Sequence, residues 1–165
     1  MRRMLALLIP AFVVILVAAS PASAVRPDRE PLHAEDFTVT GSCDFDVFVH
    51  FIANNEYVTT YFDRNGNVVR QEITGSLSHT LTNVDTGKTI YYNISGPGTL
   101  NVFPDGSSDF ILGGRSSIFF SPGDVSGLPL FFVNSGQVIL HFDPDGNLTG
   151  VDQFGHIEDV CAALA

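Results

Sequence analysis

The amino-acid sequence predicts an all-β protein, an antiparallel meander closed as an up-and-down β-barrel with a short C-terminal helix. Three observations carry this. From Phe37 onward the chain is a succession of short stretches rich in Phe, Val, Ile, Thr and Tyr, punctuated by Gly, Asn-Gly, Asp-Gly and Pro, which is strand-and-turn grammar. Most joins are only a few residues long. Such joins suit antiparallel neighbours, because parallel strands need crossovers of about a dozen residues or more. Helical spacing occurs once, in 156–165, where Ile157, Val160, Cys161 and Leu164 fall on one face.

Taken in order, residues 1–24 have the layout of a cleaved secretory signal. Arg2 and Arg3 precede an uncharged run over 4–19 that is interrupted by Pro10, and Ala22-Ser23-Ala24 follows. The run is short of the ~20 apolar residues a membrane span needs, so no stable membrane insertion is expected. Residues 25–36, with Pro27, Pro31 and mixed charge, read as a flexible leader, and 37–165 as a single β domain. Strands are predicted over 44–53, 57–62, 67–74, 76–82, 89–95, 99–103, 108–112, 116–120, 130–133, 137–142 and 148–153.

The first of these is apolar on both sides. Phe45, Val47, Val49 and Phe51 lie on one face and Phe48, His50 and Ile52 on the other, so the C-terminal helix is expected to cover its outer side. The fourth alternates, with Leu77, His79 and Leu81 on one face and Ser78, Thr80 and Thr82 on the other. Adjacent aromatics at Tyr91-Tyr92, Phe119-Phe120 and Phe131-Phe132 point to opposite faces in turn. The Gly/Pro-rich join 121–129 either flaps over a barrel mouth or crosses between sheet edges. An open sheet would leave two edges to aggregate, which favours closure as a calycin-like barrel. A β-sandwich is the alternative.

Two stretches look like calcium loops, "YFDRNGNV" from Tyr61 and "HFDPDGNL" from His141. The EF-hand frame requires Gly at its sixth position and Glu at its twelfth. Counted from Asp63 these are Val68 and Thr74, and counted from Asp143 they are Leu148 and Phe154, so both read as hairpin turns on Asn65-Gly66 and Asp145-Gly146. "FPDG" from Phe103 is a third turn of this kind.

The chain carries a formal net charge of −10, and loss of Arg2 and Arg3 with the signal makes it more negative. The remaining cations are scattered, which excludes nucleic acid as a partner. Cys43 and Cys161 are expected to form a disulfide that closes nearly the whole domain, since neither a Cys-x-x-Cys motif nor a local His partner suggests redox or zinc chemistry. No metal or cofactor is expected, and the protein is expected to be a monomer.

Nucleophile-elbow, zincin, P-loop and dinucleotide motifs are absent from the sequence. The candidate site therefore rests on strand parity. His50, His79 and His141, with Phe48 and Tyr92, are the residues expected to meet a small apolar or amphipathic ligand inside a barrel. A cyclase or isomerase using these histidines as acid or base is one alternative, and an extracellular interaction or inhibitor module acting through 121–129 is another. His33 and His156 receive no role, the latter being placed at the start of the last helix. Asn93-Ile94-Ser95 and Asn147-Leu148-Thr149 match the glycosylation pattern.

The Arg-initiated signal ending Ala-Ser-Ala, the "FDPDGNLTG" hairpin and the "IEDVCAALA" ending together resemble small exported proteins of actinobacteria that have no assigned activity. The resemblance implies an extracellular home and supplies no active site.

Overall fold

A computed structural model describes residues 26–165; the expected signal, 1–24, lies outside the described residues. Eleven strands are present: β1 (Asp28–Leu32), β2 (Phe37–Val39), β3 (Val47–Asn54), β4 (Glu56–Phe62), β5 (Val68–Thr74), β6 (Leu77–Asn83), β7 (Thr89–Asn93), β8 (Gly98–Val102), β9 (Ser108–Phe119), β10 (Phe131–Phe142) and β11 (Leu148–Asp159). Helix α1 (Val160–Leu164) ends the chain. All pairing is antiparallel, in a seven-stranded sheet ordered β1-β4-β5-β8-β9-β10-β11 and a four-stranded sheet ordered β2-β3-β6-β7.

These two orders come from one meander. β3 runs into β4 through Asn55, β5 into β6 through Gly75-Ser76, and β7 into β8 across 94–97. Pairing continues across the joins. Tyr57 opposes Thr74 on one side, Asn54 opposes Leu77 on the other, and the Asn55 N–H donates to the Ser76 carbonyl at 2.9 Å between them. Chain neighbours therefore remain spatial neighbours, in the up-and-down order that short joins favour.

Closure does not follow. No closed barrel is found among the described residues, and the two sheets fit the sandwich alternative. The reason is a split between β7 and β9. Gly98 opposes Leu112, and the Gly113 N–H donates to the Pro97 carbonyl at 2.8 Å. Pro97 itself has no N–H to extend the ladder, and a Cβ on Gly96 would lie 2.0 Å from the Gly113 carbonyl oxygen. Beyond this point the four-stranded half packs across β9–β11. Val39, Val47, Val49, Leu81 and Tyr92 from one layer meet Phe131 and Val133 from the other.

The three long strands bend without ending. Gly136 opposes both Gly114 and Gly155, and all three have positive φ, a region open to glycine. A Cβ on Gly136 would lie 2.2 Å from the Phe154 carbonyl oxygen. These glycines read as strand breaks in the sequence, but they form a crease inside continuous strands. Predicted strands 108–112 and 116–120 are thus one element, β9, and 130–133 and 137–142 are β10.

Other expectations are corrected. The stretch read as a flexible leader carries β1, which pairs with β4 at the sheet edge, where Pro31 is tolerated. The guanidinium of Arg29 lies 4.5 Å from the Tyr57 ring centroid. The helix is shorter than predicted and begins after Asp159, whose side chain accepts from the Ala162 N–H; His156 belongs to β11. Nor does α1 cover the outside of β3. Val160 and Leu164 enter the core beside Val47 and Val49, closing the sandwich end, and Ile52 on the outer side is 54% exposed. The join 121–129 is a packed cover, because Val125 and Leu128 lie against Ile118, Phe132 and Val138 on the reverse of β9 and β10.

The disulfide joins Cys43 to Cys161, with Cα atoms 5.4 Å apart, a bond of oxidising compartments. No described helix is long and apolar enough to cross a membrane.

Candidate functional site

Alternation along β6 turns Leu77, His79 and Leu81 inward. His79 is 2% exposed. Its Nε2 lies 3.0 Å from Ser117 Oγ of β9, across the sandwich, and its Nδ1 is buried with no partner among the described residues. Burial pushes the imidazole pKa down to about 4, because desolvation penalises the charged form. The ring is therefore neutral at neutral pH.

Beside this pair opens a cleft of about 180 Å³, lined by Phe37, Phe51, Phe119 and Phe131 with Leu77 and Ile94. Phe37 and Phe119 from opposite layers have ring centroids 5.7 Å apart, and Phe119 and Phe131 are 5.9 Å apart. The Phe51 ring lies 6.0 Å from His79, and Tyr92 presents an edge to His79 at 6.1 Å. An apolar chamber with one polar end results.

A second cleft of about 200 Å³ lies at the split and shares Leu77, Ile94 and Ser117 with the first. Besides the shared Ser117, its polar lining residues are Glu56, Arg115 and Ser116. Glu56 is 8% exposed, and burial raises its carboxyl pKa with no charge or hydrogen bond acting against that rise. Ser116 Oγ is buried without a partner among the described residues. Arg115 is engaged elsewhere. It lies 5.1 Å from the Tyr92 ring centroid and donates to Glu158 at 3.3 Å, and the Tyr92 hydroxyl donates to Glu158 at 2.8 Å. Burial, then Glu158, hold the Tyr92 phenol far above its usual pKa.

The five residues expected from strand parity are divided. His79 lines the first cleft and Tyr92 backs it. His50 opposes Thr80 while Phe51 opposes His79, so His50 faces outward, stacked at 6.4 Å on Phe48 and hydrogen-bonded to Asp36 at 2.7 Å. His141 lies on the solvent-facing side of the seven-stranded sheet, with Nδ1 2.7 Å from Asp109 and Nε2 3.2 Å from Asp152. The three imidazoles do not gather.

Sequence parity missed Glu56 because of a bulge. The register of β3 slips between Phe51 and Ala53, so Phe51 opposes His79 but Asn54 opposes Leu77, and inward positions run 51, 54, 56 and not 51, 53, 55. Ser117, Phe119 and Phe131 were legible only as strand residues. Their partners come from β2, β3 and β6, distant in sequence.

The calcium-like stretches are turns. Asp63 Oδ1 accepts the N–H groups of Asn65 and Asn67 at 2.7 and 2.9 Å, and Asp143 Oδ1 those of Asp145 and Asn147 at 3.0 and 2.8 Å. The hydrogen bonds from the Asn67 and Asn147 side chains, then these backbone bonds, hold the two carboxyls below their usual pKa. Among the described residues no three His, Cys, Asp or Glu side chains are grouped to hold a metal ion. A wider, open depression of about 430 Å³ lies between 124–128 and β11, lined by neither His79 nor Glu56. No family model, curated protein or solved structure matches this chain.

Proposed function

We propose that this is a secreted, disulfide-closed β-sandwich that binds a small apolar or amphipathic ligand in the two adjoining clefts between its layers. The observation that carries this is the chamber of four phenylalanines around His79, whose Nδ1 has no described protein partner. Concave apolar sites with a few convergent polar groups are the usual form of a small-molecule site. Each cleft is smaller than the ~300 Å³ at which typical ligand pockets begin, so the ligand is small or spans both. The disulfide and the signal-like start of the chain support an extracellular setting.

Catalysis is the second reading, favoured by the His79–Ser117 hydrogen bond, which has the form of a nucleophile–base pair. Two features weigh against it. A base with a pKa of about 4 is weak at neutral pH, and no described carboxylate orients Nδ1. His79 then serves to hydrogen-bond a ligand.

The test is uptake of the neutral fluorophore N-phenyl-1-naphthylamine. Emission is expected to rise on mixing with the folded protein and to be lost in Ile94→Trp, which fills the space shared by both clefts. No uptake by the folded wild type would remove the proposal.

A further inference from the structure

The second cleft holds one carboxyl, that of Glu56, with no described hydrogen-bond or ion-pair partner. Glu56 sits where β3 passes into β4, opposite Leu32 of β1. The bulge in β3 turns it inward, and Ile73, Leu112 and Phe110 line the same cleft. A carboxylate partly withdrawn from water and without a described counter-charge is costly, more so than a neutral polar group. Of the described groups, Arg115 is the cation lining this cleft, and it is committed to Glu158 and Tyr92.

We propose that this cleft recognises the cationic amine head of a small amphipathic ligand, with Glu56 as its counter-charge. The hydrocarbon body then runs past Leu77 and Ile94 into the phenylalanine chamber. An ammonium group donates to the carboxylate and supplies the charge that balances it. A carboxylate head would place like charge against Glu56, and an alcohol would hydrogen-bond but leave the charge uncompensated. The chain's formal net charge of −10 also draws cations toward the protein. This inference rests on the ligand-binding reading above and names the head group that the site selects.

The experiment is calorimetric titration of the intact, oxidised protein at neutral pH with n-octylamine, 1-octanol and octanoate. Octylamine is expected to bind about tenfold or more tighter than octanol, the scale of a charge-assisted hydrogen bond, and octanoate weakest. Glu56→Gln, close to isosteric, should bring octylamine and octanol within about twofold of each other. Octanol binding as well as octylamine would overturn the head-group assignment while leaving the ligand-binding reading intact. So would an amine preference that survives in Glu56→Gln, or octanoate binding tightest. If no member of the series binds while the fluorophore does, the head-group assignment falls alone; if the fluorophore is not taken up either, both readings fall.

Discussion

Two histidines on the same meander occupy opposite environments. On one side of the glycine crease, His79 is sealed between the layers with a serine as its neighbour, and its pKa falls to about 4. On the other side, His141 lies between Asp109 and Asp152 on the solvent-facing side of the sheet, and those carboxylates raise its pKa. Desolvation governs the first and neighbouring charge the second. The difference teaches where binding chemistry can reside: the sandwiched half offers an apolar chamber with unsatisfied polar atoms, and the open half a solvated ion triad of small energetic weight.

The largest test of this contrast removes the clamp on the sandwiched half. Replacing both Cys43 and Cys161 by Ser opens a loop with a sequence separation of 118. In the chain-entropy model this costs roughly 4 to 5 kcal/mol, read from urea unfolding. A loss below about 1 kcal/mol would mean that the sandwich end holds itself together without the bond.

Next is the crease on which the two halves pivot. Gly136→Ala places a Cβ 2.2 Å from the Phe154 carbonyl oxygen at φ 150°, and a cost of about 3 kcal/mol or more is expected from overpacking and backbone strain. A variant with unchanged thermal stability and fluorophore uptake would remove the crease from the account.

Acid should act on the two halves with opposite sign. Unfolded His79 takes up its proton near pH 6.5 and folded His79 only near 4, so protons favour the unfolded chain. This contribution is full above about pH 6.5 and is lost as pH falls toward 4, by on the order of 3 kcal/mol. The difference between the pH–stability curves of wild type and His79→Gln should trace that loss, and parallel curves would contradict it.

For His141 the folded pKa lies above the unfolded one. Its stabilisation is present below about pH 6.5 and disappears as pH rises through the folded value. Solvent screening limits the effect to a few tenths of a kcal/mol. His141→Gln should show it as a slight relative destabilisation confined to acid, and an effect as large as that of His79 would erase the contrast.

Much of the fold was legible in the chain. Turn chemistry at Asn65-Gly66, Pro104-Asp105-Gly106 and Asp145-Gly146 set the hairpins, with glycine φ values of 85°, 90° and 83°, and alternation along β6 placed Leu77, His79 and Leu81 together. Where glycine served a bend and not a turn, as at Gly114 and Gly136, the sequence pattern is the same and only the paired strand distinguishes them. The split at Gly96-Pro97 was equally hidden, because nothing local says that β7 will leave β9. Of the candidate site, His79 and Tyr92 followed from strand position, whereas Glu56 depended on a one-residue bulge, and Ser116, Ser117 and Phe119 on packing between distant strands.

The most direct test of ligand binding is an NMR titration of protein carrying ¹⁵N-labelled histidine with N-phenyl-1-naphthylamine. The His79 ring signals are expected to shift in step with fluorophore uptake while those of His50 and His141 stay in place. Uptake that leaves His79 unmoved, or that moves His50 or His141 instead, would put the ligand outside the sandwich and contradict binding between the layers.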